Sequence, residues 1–139
     1  MPYLIKKILW FFISVSLVGV LSGCNTLADA RMAKGTGVFK VYDVAVDKIW
    51  NALPDVIKSV GLAYVGENRQ EGYILAQRSI TAFSYGEDVA IFITSLGDQK
   101  TRVEIVSKKA LATNIFAPDW SAKLFKTLDA LFVPVAGMK

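Results

Sequence analysis

Two apolar stripes of helical period bracket a run of short strand-like segments joined by polar turns, and few folds satisfy that pattern. The first stripe is Ile49, Trp50, Leu53, Val56, Ile57 and Val60, which predicts a helix over 47–59. Asp47 stands where a cap is needed and Gly61 where a helix ends. Pro54 lies inside the pattern and predicts a kink or a restart, because it removes the hydrogen bond to the Trp50 carbonyl. The second stripe is Leu124, Phe125, Leu128, Leu131 and Phe132. It follows Pro118 and Asp119, which suit a helix start, and Val133-Pro134 stops it. A tryptophan among branched aliphatics at this spacing is core packing rather than a ligand box.

Four segments between the stripes have strand character, at 62–67, 73–80, 88–94 and 101–107, and a fifth at 38–42 precedes the first helix. The connections 68–72 and 96–100 are polar and of hairpin length, so the four should run as an antiparallel meander. In the last strand Arg102, Glu104 and Lys108 share one parity while Val103 and Ile105 share the other. That alternation predicts one wet sheet face, without helices. The expected fold is therefore α+β, a two-layer sandwich in the order β-α-β-β-β-β-α. Its antiparallel sheet has about five strands, with two helices on one face.

The first 24 residues carry a different signal. Lys6 and Lys7 form a charged start, an apolar run extends over about 8–20, and Leu21-Ser22-Gly23-Cys24 closes it with small residues and the chain's one cysteine. The apolar run is too short for a spanning helix, which needs roughly 20 residues. This stretch resembles the lipobox signal of bacterial lipoproteins. The resemblance implies a diacylglycerol on the Cys24 thiol, cleavage before Cys24, a palmitate-type further acylation, and a membrane address. Asn25 after the cysteine implies export to the outer membrane, with the domain facing the periplasm.

That reading divides the chain into a cleaved signal peptide at 1–23, a lipidated N-terminus and tether at 24–34, a domain at 35–134 and a tail at 135–139. The tether, with Ala28, Ala30 and Ala33 among charges, should be at most fleetingly helical and behave as a coil of roughly 18 Å r.m.s. reach, close to the membrane. Without Lys6 and Lys7 the 16 basic residues become 14 against 12 acids, a net charge of +2. Such a balance gives no electrostatic argument for nucleic acid. With Cys24 acylated no thiol remains, so the fold stands without a disulfide.

The helix opening on Asp47-Lys48-Ile49-Trp50 and the strand opening on Glu71-Gly72-Tyr73-Ile74-Leu75 lie within a layout that resembles the helix-grip domains of the envelope lipoprotein NlpB. The similarity covers 36–132 and is one of layout, without matched functional residues. It is closer still to single-domain lipoproteins of unassigned function.

Residues that would carry chemistry are few. The chain has no histidine, which removes the usual general base at neutral pH and the Ser-His-Asp and Cys-His arrangements. Gly35-Thr36-Gly37 lacks a third glycine and precedes a strand, so it reads as flexible entry to the domain rather than a nucleotide loop. Glu87 and Asp88 read as a solvated turn rather than an acid–base pair. No metal or cofactor is implied. Phe83 and Tyr85 in one connection and Leu111, Ile115 and Phe116 in another are the candidate binding residues; loops this apolar either fold back over a core edge or meet a partner. Lys100, Arg102, Lys108 and Lys109 gather around the last strand as a basic edge.

The function expected is that of a non-catalytic interaction or structural module near the membrane surface, attached through Cys24 and meeting an envelope protein partner. The alternative is a carrier of an apolar ligand between helix and sheet. An enzyme is the weakest reading.

Overall fold

The computed structural model describes residues 26–79, 86–109 and 118–137. In chain order the elements are α1 (Leu27–Met32), β1 (Val38–Tyr42), α2 (Val46–Ser59), β2 (Ala63–Asn68), β3 (Tyr73–Arg78), β4 (Glu87–Ser95), β5 (Thr101–Lys109) and α3 (Trp120–Leu131). The five strands form one antiparallel sheet in the order β1-β5-β4-β3-β2. The meander of β2 to β5 and the α+β layout agree with the hydrophobic pattern. Strand β1 adds beside β5, so the first and last strands of the sheet are neighbours.

Helices α2 and α3 cover one face. Ile74, Ala76, Val89, Ile91, Ile93, Val103 and Ile105 point up from the strands. Ile49, Trp50, Leu53, Val56 and Ile57 of α2, with Trp120, Leu124, Phe125 and Leu128 of α3, come down on them. Helix α2 ends in a Schellman motif: the Leu62 N–H donates to the Ile57 carbonyl at 3.1 Å and the Gly61 N–H to Lys58 at 3.0 Å. Gly61 has φ +89°, a conformation that a side chain would disfavour.

Local details differ from the sequence expectation. The N-cap of α2 is Ala45, which makes no side-chain cap, and Asp47 lies within the first turn where it meets the helix dipole. Pro54 neither ends nor restarts the helix, which runs from Val46 to Ser59, because burial of Leu53, Val56 and Ile57 beyond it outweighs one lost hydrogen bond. Asp119 stands at the start of α3 as expected, as its N-cap, and it accepts from the Ala122 N–H at 3.2 Å. Leu131, counted in the second stripe, is 57% exposed. The buried position is Trp120, at the other end of that helix. Val133 to Val135 leave α3 and run beside β1, with the Val135 N–H donating to Val41 and the Asp43 N–H to Val133.

The largest correction concerns the other sheet face and the supposed tether. Residues 27–32 form a helix that packs on the face expected to be wet, where Ala30, Ala90, Phe92 and Val106 make a second buried cluster. The reason lies in β4, whose Val89 to Ile93 are apolar on both parities, so the strand needs cover on both sides. Residues 26–34, expected to be tether, are thus part of the fold.

Candidate functional site

The second face is built from its first residue upward. Thr26 and Asp29 form a capping box: the Thr26 backbone N–H donates to the Asp29 carboxylate at 2.7 Å and the Asp29 N–H to the Thr26 hydroxyl at 3.4 Å. Ala30 is fully buried because only a small side chain lets the helix backbone approach Ala90, Phe92 and Val106. Arg31 reaches the Glu71 carboxylate at 2.6 Å and lies 5.1 Å over the Tyr73 ring. Lys34 sits 5.7 Å over Phe92. These cationic contacts tie the C-terminal end of α1 and the residues just after it to the sheet.

Gly35 and Gly37 then bind an anion, although it is the protein's own. Their backbone N–H groups donate to one oxygen of Glu104 at 2.6 Å and 3.0 Å, and Arg102 donates to the other at 2.8 Å. Glu104 is completely buried, so burial pushes its carboxyl up, but the bonds from Gly37, Arg102 and Gly35 outweigh it and hold the group below the usual range. Gly37 passes so close to β5 that a Cβ there would lie 2.4 Å from the Ile105 carbonyl oxygen. The flexible entry expected of this pair is instead a clamp joining α1 and β1 to β5.

Glu87 and Asp88 are likewise not a solvated turn. They open β4 and are 1% and 3% exposed, on opposite faces. Asp88 accepts from the Gln77 amide at 2.7 Å, and burial, aided by the charges of Asp29 and Glu87, raises its carboxyl above the usual value. Arg78 lies 3.9 Å from Glu87 and 5.5 Å over the Trp120 ring, which Lys123 also covers at 4.8 Å. The acids face apart, so they do not form an acid–base pair.

Two open clefts flank the helices. One, of about 460 Å³, lies between β1 and α3 and is lined by Phe39, Lys40, Ser121, Phe125, Lys126 and Asp129. Within it Asp129 accepts from Lys40 and, at 2.9 Å, from the Tyr42 hydroxyl. Burial and then the Asp129 bond raise the Tyr42 hydroxyl, which keeps it protonated as a donor. The other, of about 440 Å³, lies beside Trp50, which Arg69 covers at 5.1 Å. Both offer aromatic walls with charged rims, an arrangement suited to holding a partner. The space between helices and sheet is filled by the tryptophans and aliphatics of the main core.

The residues singled out from sequence fall mostly elsewhere. Cys24, Phe83, Tyr85, Leu111, Ile115 and Phe116 lie outside the described residues, as does the Lys109 side chain. The basic edge is not gathered: Lys100 is in the β4–β5 turn, Arg102 is bound to Glu104 and stacked on Phe39 at 4.2 Å, and Lys108 is at the opposite end of β5. Missed by sequence reasoning were α1, whose signal is the Thr26-x-x-Asp29 capping pattern, and Arg78 over Trp120, a pairing across more than forty residues that no local pattern reveals. Among the described residues no helix is long and apolar enough to cross a membrane, and no three acids or cysteines converge as metal ligands. No family model, curated protein or solved structure matches the chain.

Proposed function

We propose that this is a lipid-anchored bacterial envelope protein whose domain acts as a non-catalytic interaction module held against its membrane. The observation that carries the reading is the start of α1 at Leu27 with its cap at Thr26. If Cys24 bears lipid, one residue, Asn25, separates the anchor from the folded body. A lipobox followed so soon by packed structure suits a module working at the bilayer surface, and effective concentration then favours partners in or on the same membrane. Asn25 supports sorting to the outer membrane. The filled interlayer core favours this reading over a carrier that holds an apolar ligand between helix and sheet.

The test is the intact mass of protein purified from membranes of the native host. Cleavage before Cys24 with added diacylglycerol and acyl chain is the expected result, and Cys24→Ser should accumulate as the uncleaved precursor. A mature protein without lipid overturns the anchor. Mild crosslinking in the intact envelope, expected to capture a membrane-associated protein, tests the module; a product confined to a bound small molecule would favour the carrier.

A further inference from the structure

The direction in which α1 crosses the sheet bears on how an anchored domain would stand. Arg31 meets Glu71 and Tyr73, and Lys34 meets Phe92, toward the end of the sheet where β3 begins. Asp29, one turn earlier, feels the charges of Lys108 and Asp88, toward the end where β5 finishes. Thr26 therefore points to the Lys108 end. Across that end Arg78, Glu87 and Lys109 align in register.

Glu87 and Asp88 are buried, Asp29 is engaged in its capping box and Asp119 caps α3. Arg78 keeps about a third of its side chain in solvent, at 34%, and Lys108 and Lys123 are half-buried and exposed. With Glu87 and Asp88 buried, the surface charges of this end are these cations and the capping carboxylates of Asp29 and Asp119, and the cations are placed to meet anionic head groups.

We propose that the sheet end carrying Arg78, Ser79 and Lys108 faces the phospholipid bilayer, so that the domain stands end-on to its membrane. This orientation rests on the lipid anchor at Cys24 argued above. Two residues of chain span at most about 7 Å from Cys24 to Thr26, which brings this end down to the head groups. The nine residues of β4 then lift the opposite end, with Leu96 and the Trp50–Arg69 cleft, roughly 30 Å above it.

The experiment uses the full lipidated protein in vesicles of phosphatidylethanolamine and phosphatidylglycerol containing a doxyl-labelled lipid. Ser79→Cys and Asp98→Cys, exposed positions at opposite ends, each carry an environment-sensitive fluorophore. Doxyl lipid should quench the Ser79 label several-fold more than the Asp98 label, while aqueous iodide should quench the Asp98 label more. A flexible Gly-Ser insertion between Asn25 and Thr26 should bring the two labels toward equality. Equal or reversed lipid quenching in protein whose mass shows the anchor overturns the orientation alone. A Ser79 label shielded from both quenchers means that protein covers this end and also overturns it. A mass lacking diacylglycerol overturns the anchor and the orientation with it.

Discussion

Replacing Glu104 with alanine removes the one carboxylate that joins three segments: the end of α1 through Gly35, the start of β1 through Gly37 and β5 through Arg102. Hydrogen bonds to a charged group contribute about 1.5–3 kcal/mol each, and orphaned donors cost about 1–3. Gly35 is exposed enough for water to replace its partner, whereas Gly37 lies against β5. Arg102 can turn to solvent, so the sum is non-additive and the expected loss is about 2 to 4 kcal/mol. Glu104→Gln is more discriminating. Its amide oxygen can still accept from both glycines, but its NH₂ group faces the Arg102 guanidinium, so about 1.5–3 kcal/mol should go. Folding lowers the Glu104 pKa, so its stabilisation is complete above the ordinary value of 4.5 and is lost as pH falls through the folded value. Urea unfolding of the soluble mature chain at pH 7 and at about pH 3 should show the difference between the wild type and Glu104→Gln shrinking from the first to the second. A loss under about 1 kcal/mol for alanine, or a pH-independent difference for glutamine, would refute the clamp.

Three further substitutions have definite expected outcomes. Asp88→Asn should raise stability at neutral pH, because folding raises the Asp88 pKa and the ionised form is penalised; the gain should shrink as pH falls below that raised value and vanish below the ordinary value of 3.8, and a loss at pH 7 in urea would mean that Lys108 pairs with the charge. Ala30→Leu should cost about 1–3 kcal/mol in thermal or urea melts by overpacking against Phe92 and Val106, whereas no change would mean that α1 is undocked in solution. Pro54→Ala should stabilise, by up to roughly 3 kcal/mol, since α2 already runs through this position; a loss in the same melts would show that the proline ring packs something essential.

The elements that local pattern could reveal were legible. The stripe from Ile49 to Val60, the two polar hairpin connections and the Val133-Pro134 stop yielded the element order and the layering, because each depends on residues near one another in sequence. Helix α1 was not, since six residues with one buried alanine carry almost no periodic signal, and its stability comes from Phe92, Val106 and Glu71 far along the chain. Glu104 misled for a related reason: its alternation with Val103 and Ile105 reads as solvent exposure unless the glycine pair at 35 and 37 is known to sit above it. The candidate binding residues drawn from sequence lie outside the described residues, while the clefts that are described depend on pairings such as Arg69 with Trp50 that tertiary structure creates.

Placing β1 beside β5 also dictates an order of events. The hairpins from β2 to β5 join neighbours and close short loops, but Val38 must find Ile105 and Tyr42 must find Thr101 across about 60 residues of chain. On a chain that emerges N-terminus first, β1 and α1 wait for the last strand before they have anywhere to bind. The sheet is therefore completed by its earliest segment, and β4, apolar on both faces, stays uncovered on one side until that happens. Until α1 docks, Phe92 and Val106 lack their cover, and apolar surface exposed in that way promotes aggregation.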